Sequence, residues 1–227
     1  MSWEVINGKC EAEMPKLIER GLTGHVVVTD QPYGTGWARG GGKKVGEFFA
    51  KHEQPAWDVF SLKWLATVGD PKRLALFAPV SRAEEVAEAL PNRALCYYRK
   101  TNARPGAPAR EPIIVSPAPV NPEPWDFTAY NGDSPYHPCQ KPLELMRWLV
   151  RLVSDPSDTI VDPFAGSFTT GVACIIEGRN FIGIEQDEHY CRIGEARLKR
   201  ASGIPADIPG PLRNPAPAPL FEGQTNV

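Results

Sequence analysis

Between residues 142 and 200 helical and strand patterns alternate with almost no slack between them, and this run constrains the fold more than any other part of the chain. The periodicity predicts a helix from Pro142 to about Val153, a strand at Thr159–Val161, a glycine loop and a helix from Thr169 to Glu177. A strand at Phe181–Ile184 and a helix from Glu188 to Arg200 follow. Such a βαβα unit returns each strand parallel to the last through a helical crossover, so the expected class is α/β with a parallel sheet.

The earlier chain fits the same alternation. His25-Val26-Val27-Val28-Thr29-Asp30 reads as a buried strand leading into a turn. A helix at Trp57–Val68, a strand at Arg73–Ala78, a helix at Arg82–Leu90 and a strand at Ala94–Tyr98 are expected next. Seven prolines within 105–124 exclude a central strand or long helix there, and predict an extended surface connection around Ile113-Ile114-Val115. Residues 35–56, with five glycines and four Lys or Arg, read as a mobile basic loop. These considerations give one domain, 1–202, followed by a proline-rich disordered tail, 203–227.

Two strand ends carry groups suited to chemistry. Asp162 to Gly171 closes a strand, turns tightly and opens a helix, which places unpaired N–H groups in the crevice where doubly wound sheets bind nucleotide-like ligands. Glu185 ends the next strand, about twenty residues on, where a carboxylate can accept bonds from both hydroxyls of a ribose; together the two point to an adenosine-containing cofactor. The other strand end is Asp30-Gln31-Pro32-Tyr33. Asp-x-Pro is commonly a plain turn, but a carboxylate, a backbone carbonyl and an aromatic face also suit an extruded base with an exocyclic amine. Tyr136-His137-Pro138-Cys139-Gln140-Lys141-Pro142 enters the helix that feeds the glycine-loop strand and can line the same pocket.

Taken together, these segments resemble the amino-group DNA methyltransferases, in the group whose catalytic motif precedes the cofactor motif. Asp30-Gln31-Pro32-Tyr33 is similar to Asp-Pro-Pro-Tyr, His137-Pro138 through Lys141-Pro142 to His-Pro-x-x-Lys-Pro, and Asp162 to Thr170 to Asp-Pro-Phe-x-Gly-Ser-Gly-Thr-Thr. The resemblance implies a Rossmann-like class I methyltransferase fold with helices on both faces. It also implies S-adenosylmethionine held by Asp162, Pro163, Phe164, Gly166, Ser167, Thr169, Thr170, Glu185, Lys141 and Pro142. Asp30, Gln31, Pro32 and Tyr33 would be the catalytic set: Asp30 and the carbonyl of residue 31 hold the amine, and Tyr33 stacks on the base. Aspartate at the first position is typical of adenine-modifying members; a cytosine-amine enzyme, a non-catalytic DNA-binding relative and an enzyme acting on RNA or a protein amide are the alternatives. The target is expected to be swung out of double-stranded DNA, with positioning supplying most of the rate.

Three positions depart from the family pattern. Gln31 replaces a proline, although Pro32 still holds residue 31 extended. Phe168 replaces a loop glycine, which costs about 1–3 kcal/mol if the position needs positive φ. Lys9 stands where an acidic residue is common.

The formal net charge of −2 rules out coating of nucleic acid by bulk positive charge, so contacts must be local. Arg39, Lys43 and Lys44 in one segment and Arg99, Lys100 and Arg104 in another form two candidate phosphate-contacting walls around Asp30. Five cysteines without a CxxC pair suggest neither a disulfide framework nor a metal site, and no stretch reads as a signal or a membrane span, which gives a cytoplasmic protein. A homodimer is left open. Little chain remains for a recognition domain or a nuclease, so a solitary modification enzyme with a short or relaxed target is expected, of a kind that suits a phage or mobile element.

Overall fold

The computed structural model describes residues 1–34, 60–100, 109–118, 125–127, 136–137 and 139–209. The 35–56 loop with Arg39, Lys43 and Lys44, the residue Arg104, and the tail from 210 onward lie outside the described residues.

The described chain forms β1 (Trp3–Asn7), α1 (Cys10–Glu19), β2 (Val26–Thr29), β3 (Arg73–Phe77), α2 (Ala83–Glu88), β4 (Ala94–Lys100), β5 (Arg110–Ser116), β6 (Trp125–Phe127), α3 (Leu143–Val153), β7 (Thr159–Asp162), α4 (Thr169–Ile176), β8 (Asn180–Glu185) and α5 (Glu188–Ala201). The strands make one sheet in the order β1-β8-β7-β2-β3-β5-β4-β6. β5 is antiparallel to both β3 and β4, whereas β1-β8, β8-β7, β7-β2, β2-β3 and β4-β6 pair parallel.

Both faces of the sheet are covered, which explains the unbroken apolar run of β2. Val26 and Val28 pack with Leu145 and Leu149 of α3 and Ala173 of α4, while Val27 packs on the opposite face with Met14 of α1, Trp64 and Val86 of α2. A strand alternates its side chains between faces, so each valine meets a different helical layer.

Three expectations need correction. The helix expected at Trp57–Val68 is, in its described part, a 3-10 turn at Lys63–Thr67; buried Trp64 and Val68 anchor it, and Gly69 at φ +69° ends it. Residues 57–59 lie outside the described part. The proline-rich segment 105–124 contains a central strand, β5, with Ile113, Ile114 and Val115 buried between β3 and β4. Pro112 is tolerated because it sits past the end of β3: its carbonyl accepts from Ala78 N–H at 3.2 Å, and its missing donor faces a ladder that has already run out. Finally, β1 and α1 carry no signal strong enough to have been read from the sequence, yet β1 forms the edge beside β8.

Candidate active site

The parallel pairing of β2 with β7 brings together two segments 130 residues apart in sequence: Val26 lies opposite Ile160 and Val27 opposite Val161. Asp30 and Asp162 therefore leave the sheet at the same edge, and Thr29 Oγ1 ties them by donating to Asp162 Oδ1 at 2.7 Å. This is the carboxyl end of the sheet at the point where connections run off in opposite directions, the usual place for a crevice.

A cleft opens there. Asp30, Lys141, Asp162, Phe164, Gly166 and Ser167 line it, together with Thr169 and Thr170. Of the remaining expected site residues, Pro163 is buried beneath the loop, Pro142 caps α3, and Glu185 lies behind the loop.

The loop 163–168 is shaped by carboxylates. Asp162 accepts from Thr29, from Thr170 Oγ1 at 2.6 Å and from Phe164 N–H at 3.1 Å, which locks the loop entry to β2 and α4. Burial raises the Asp162 carboxyl to about 6 despite these donors. Glu185 accepts from Gly166 N–H at 2.9 Å and Asp187 N–H at 2.8 Å, so it fixes the loop from behind, with one further lone pair on each oxygen. Burial raises its carboxyl as well. Gly166 sits at φ +51°, a conformation natural to glycine.

Phe168 does adopt the left-handed conformation, φ +62° and ψ +33°, at the N-terminus of α4. Its ring, however, points away from the cleft into the core against Phe181, in space that Gly183 and Gly194 leave open. The departure is absorbed by the core and leaves the cleft clear. Lys9 is exposed at the N-cap of α1 and makes no side-chain cap.

Asp30 itself is half-committed. Its Oδ2 accepts from Lys141 Nζ at 2.6 Å, whereas Oδ1 is shielded from solvent and has no hydrogen-bond partner. Burial raises its carboxyl, and the neighbouring Glu111 charge adds to the rise against the pull of Lys141. Gln31 is buried; its Oε1 accepts from Trp64 Nε1 at 2.7 Å, and Trp64 meets Phe164 edge-on at 5.3 Å. The residue that replaces the family's proline thus braces the aromatic wall of the cleft. Pro32 leads to Tyr33, whose hydroxyl donates to Glu111 Oε1 at 2.6 Å.

Glu111, at the start of β5, is the site residue that sequence reasoning missed. Lys141 Nζ lies 3.0 Å from its Oε1, Lys100 Nζ lies 3.0 Å from its Oε2, and Tyr98 OH donates to Oε2 at 2.5 Å. Burial pushes its carboxyl up, but the two lysines and two phenols outweigh that and hold it well below the usual carboxylate range. Lys141 is also buried, yet the charges of Asp30 and Glu111 raise it above an ordinary lysine. Lys100, expected to face phosphate, points to this cluster, while Arg99 and Arg110 stand opposite each other on β4 and β5, both exposed. The only hint in the sequence was an acid opening an otherwise apolar strand.

His137 closes the rim. Burial first, and Lys141 second, lower it to about 4, so its ring is neutral, accepts from Cys139 N–H at Nδ1 and packs edge-on to Tyr190 at 4.7 Å. Among the described residues no group of three or more His, Cys, Asp or Glu is placed to hold a metal, and no helix is long and apolar enough to cross a membrane.

This sheet order, with the antiparallel strand β5 between β3 and β4, is the class I methyltransferase fold. The M1.HpyAVI–SAM complex has the same architecture, with a TM-score of 0.63 at 22% identity over 86% of this chain and 100% of that one. So does the cytosine-N4-specific PvuII DNA methyltransferase, with a TM-score of 0.59 at 14% identity over 89% of this chain and 91% of that one. Residues 111–196 match the family model described as DNA methylase. The DNA adenine methyltransferase YhdJ of Escherichia coli K12 is 39% identical over 118 residues, 51% of this chain and 37% of that protein. The type II methyltransferase M.HinfI of Haemophilus influenzae is 40% identical over 72 residues, 32% of this chain and 20% of its own length. The matched stretches thus span well under half of these curated relatives. The chain is thus similar to DNA methylases over residues 111–196 and shares its fold with solved methyltransferases.

Proposed function

We propose that this chain transfers a methyl group from S-adenosylmethionine to the exocyclic amine of an adenine swung out of duplex DNA. The observation that carries the reading is the shielded, unpartnered Asp30 Oδ1 in a cleft shared with the Asp162–Thr170 loop. An orphaned buried acceptor costs free energy unless a donor arrives to meet it, and an amine N–H is such a donor.

The cleft also suits the cofactor. Phe164 offers an aromatic face, Gly166 permits close approach, and the Glu185 oxygens keep lone pairs for hydroxyl donors. When bound, S-adenosylmethionine supplies an electrophilic methyl group on a sulfonium.

The chain's own contribution is positioning. Asp30 Oδ1 and the Gln31 backbone carbonyl accept the two amine protons, which turns the nitrogen lone pair out of ring conjugation and toward the cofactor side of the cleft. Tyr33, held by Glu111, presents its ring for stacking. As the new N–C bond would form and the methyl–sulfur bond break, with a neutral thioether leaving, the nitrogen must shed a proton; Asp30, with its raised carboxyl and an unpartnered oxygen, is the group placed to take it. Adenine is preferred because the first motif position is aspartate and because YhdJ is described as an adenine methyltransferase. DNA as the partner rests on the same relatives.

The test is to incubate the protein with methyl-labelled S-adenosylmethionine and unmethylated duplex DNA and to digest the product to nucleosides. Label in methyladenine is expected, with Asp30→Ala reducing turnover by about 10²- to 10⁴-fold while cofactor still binds. Label in the cytosine amine overturns the base assignment. Cofactor binding with no label in DNA overturns DNA as the substrate.

A further inference from the structure

Four charged side chains meet beside Tyr33, and of these Asp30 and Lys141 line the cleft. Asp30 and Glu111 bring two negative charges, Lys141 and Lys100 two positive ones. The two carboxylates share Lys141, but their surroundings differ sharply. Glu111 has four donors for its two oxygens, namely Lys141 and Tyr33 on Oε1 and Lys100 and Tyr98 on Oε2. Asp30 has Lys141 on one oxygen and nothing on the other. The two carboxylates come from opposite strand directions, Asp30 from the end of parallel β2 and Glu111 from the start of antiparallel β5.

We propose that Glu111 is a positioning residue for methyl transfer, holding Lys141 off an exclusive pair with Asp30 and holding the Tyr33 ring at its stacking angle, so that Asp30 Oδ1 stays open to the amine. This deepens the reading above and rests on it. The Lys141 ammonium has three protons to place. With Glu111 taking one of them, Lys141 engages only Oδ2 of Asp30; without that second acceptor only the faces of Phe77 and Tyr33 hold it, at 4.8 Å and 5.4 Å, and neither ring keeps it from chelating both Asp30 oxygens. The Glu111 charge also repels that of Asp30 across the shared lysine, which keeps Asp30 a better proton acceptor, while Glu111 itself, saturated with donors, stays ionised throughout turnover.

The test compares wild type, Glu111→Gln and Glu111→Asp in the same duplex-DNA assay, with kcat and KM measured from pH 5 to pH 9 and cofactor binding measured separately. Glu111→Gln removes the charge, so kcat is expected to fall about 10- to 100-fold, as for a misplaced reacting group, with KM for DNA and cofactor affinity within about threefold. Its acid limb should also move to lower pH, because Asp30 loses a repelling neighbour and gains an undivided lysine. Tyr33, Tyr98, Lys100, Lys141 and Asp30 are the titratable groups facing Glu111, and of these only Asp30 has its ordinary ionisation below pH 7; Asp162, raised to about 6 beside Asp30, contributes to the acid limb of wild type and variant alike, so the shift between them reports Asp30. A purely structural role would lower kcat equally at every pH. Glu111→Asp keeps the charge but shortens the reach; its acid limb should stay at the wild-type position while kcat falls about 3- to 10-fold.

An unmoved acid limb in a cofactor-binding Glu111→Gln protein overturns the proposal. Should that variant fail to bind cofactor, a wild-type kcat in Glu111→Asp overturns it instead. A wild-type protein that methylates no DNA overturns the underlying function, and the proposal with it.

Discussion

At the scale of single residues, buried acids dominate this site, and Asp162 shows what burial does to one of them. Folding raises its carboxyl from the ordinary 3.8 to about 6, chiefly through burial. The folded state therefore holds this proton more tightly than the unfolded chain, and the stability from that source is complete below about pH 4 and disappears as pH rises through 6. Asp162→Asn is neutral at every pH, so its melting temperature relative to wild type should rise between pH 4.5 and pH 7.5, by a free energy of at most about 3 kcal/mol. A constant difference across that window would place the cost of Asp162 elsewhere. Asp30, Tyr33, Asp162 and Gly166 were legible in the sequence because each sits in a short string whose grammar is local. Glu111 was not, because its role depends on which strand lies beside β3, and Lys141 was legible as a motif member while its partner was not.

At the scale of elements, Phe168 couples α4, β8 and α5. Its backbone is strained and its ring is fully buried, so two effects oppose each other on mutation. Phe168→Gly relieves about 1–2 kcal/mol of left-handed strain but forfeits about 3–5 kcal/mol of packing, a net loss of about 1–4 kcal/mol in chemical denaturation. Phe168→Ala keeps the strain and should be the less stable of the two by about 1 kcal/mol, the reverse of their helix propensities. Gly194 is the complement: a methyl group there would run into the Phe168 ring. Gly194→Ala should cost about 1–3 kcal/mol alone and much less in the Phe168→Gly background, and additive losses would show that the contact is not shared. The elements most visible in sequence, α3 to α5 with β7 and β8, were those with strong periodicity and short links. β5 was hidden by its prolines, since only the end of β3 shows that Pro112 forfeits no bond.

At the scale of the whole molecule, charge is arranged locally on a surface that is slightly acidic overall. Arg99 and Arg110 face each other across β4 and β5 at the end of the strand pair where Lys100 turns inward to Glu111. Both side chains are exposed on this edge, and a phosphate of bound DNA is proposed to lie against Arg110. Arg110→Ala should weaken binding of duplex DNA at any sequence and lower the slope of log affinity against log salt by about 1. An unchanged slope would remove this edge from the DNA interface.

The pairing of β2 with β7, and of β1 with β8, also has a consequence in time. The chain is made from its amino end, and the catalytic segment at Asp30 is complete long before the strand that flanks it, since Val26 must wait for Ile160 and Trp3 for Phe181. At roughly 5–20 residues per second the interval between Asp30 and Asp162 is about 7–26 seconds of synthesis. Throughout it, the nascent chain displays unpaired apolar strand edges and an acid with no cleft to serve. Synthesis of β7 therefore supplies the neighbour of β2 and the second wall of the cleft together, so a chain stalled before β7 carries the Asp30 segment without the cleft.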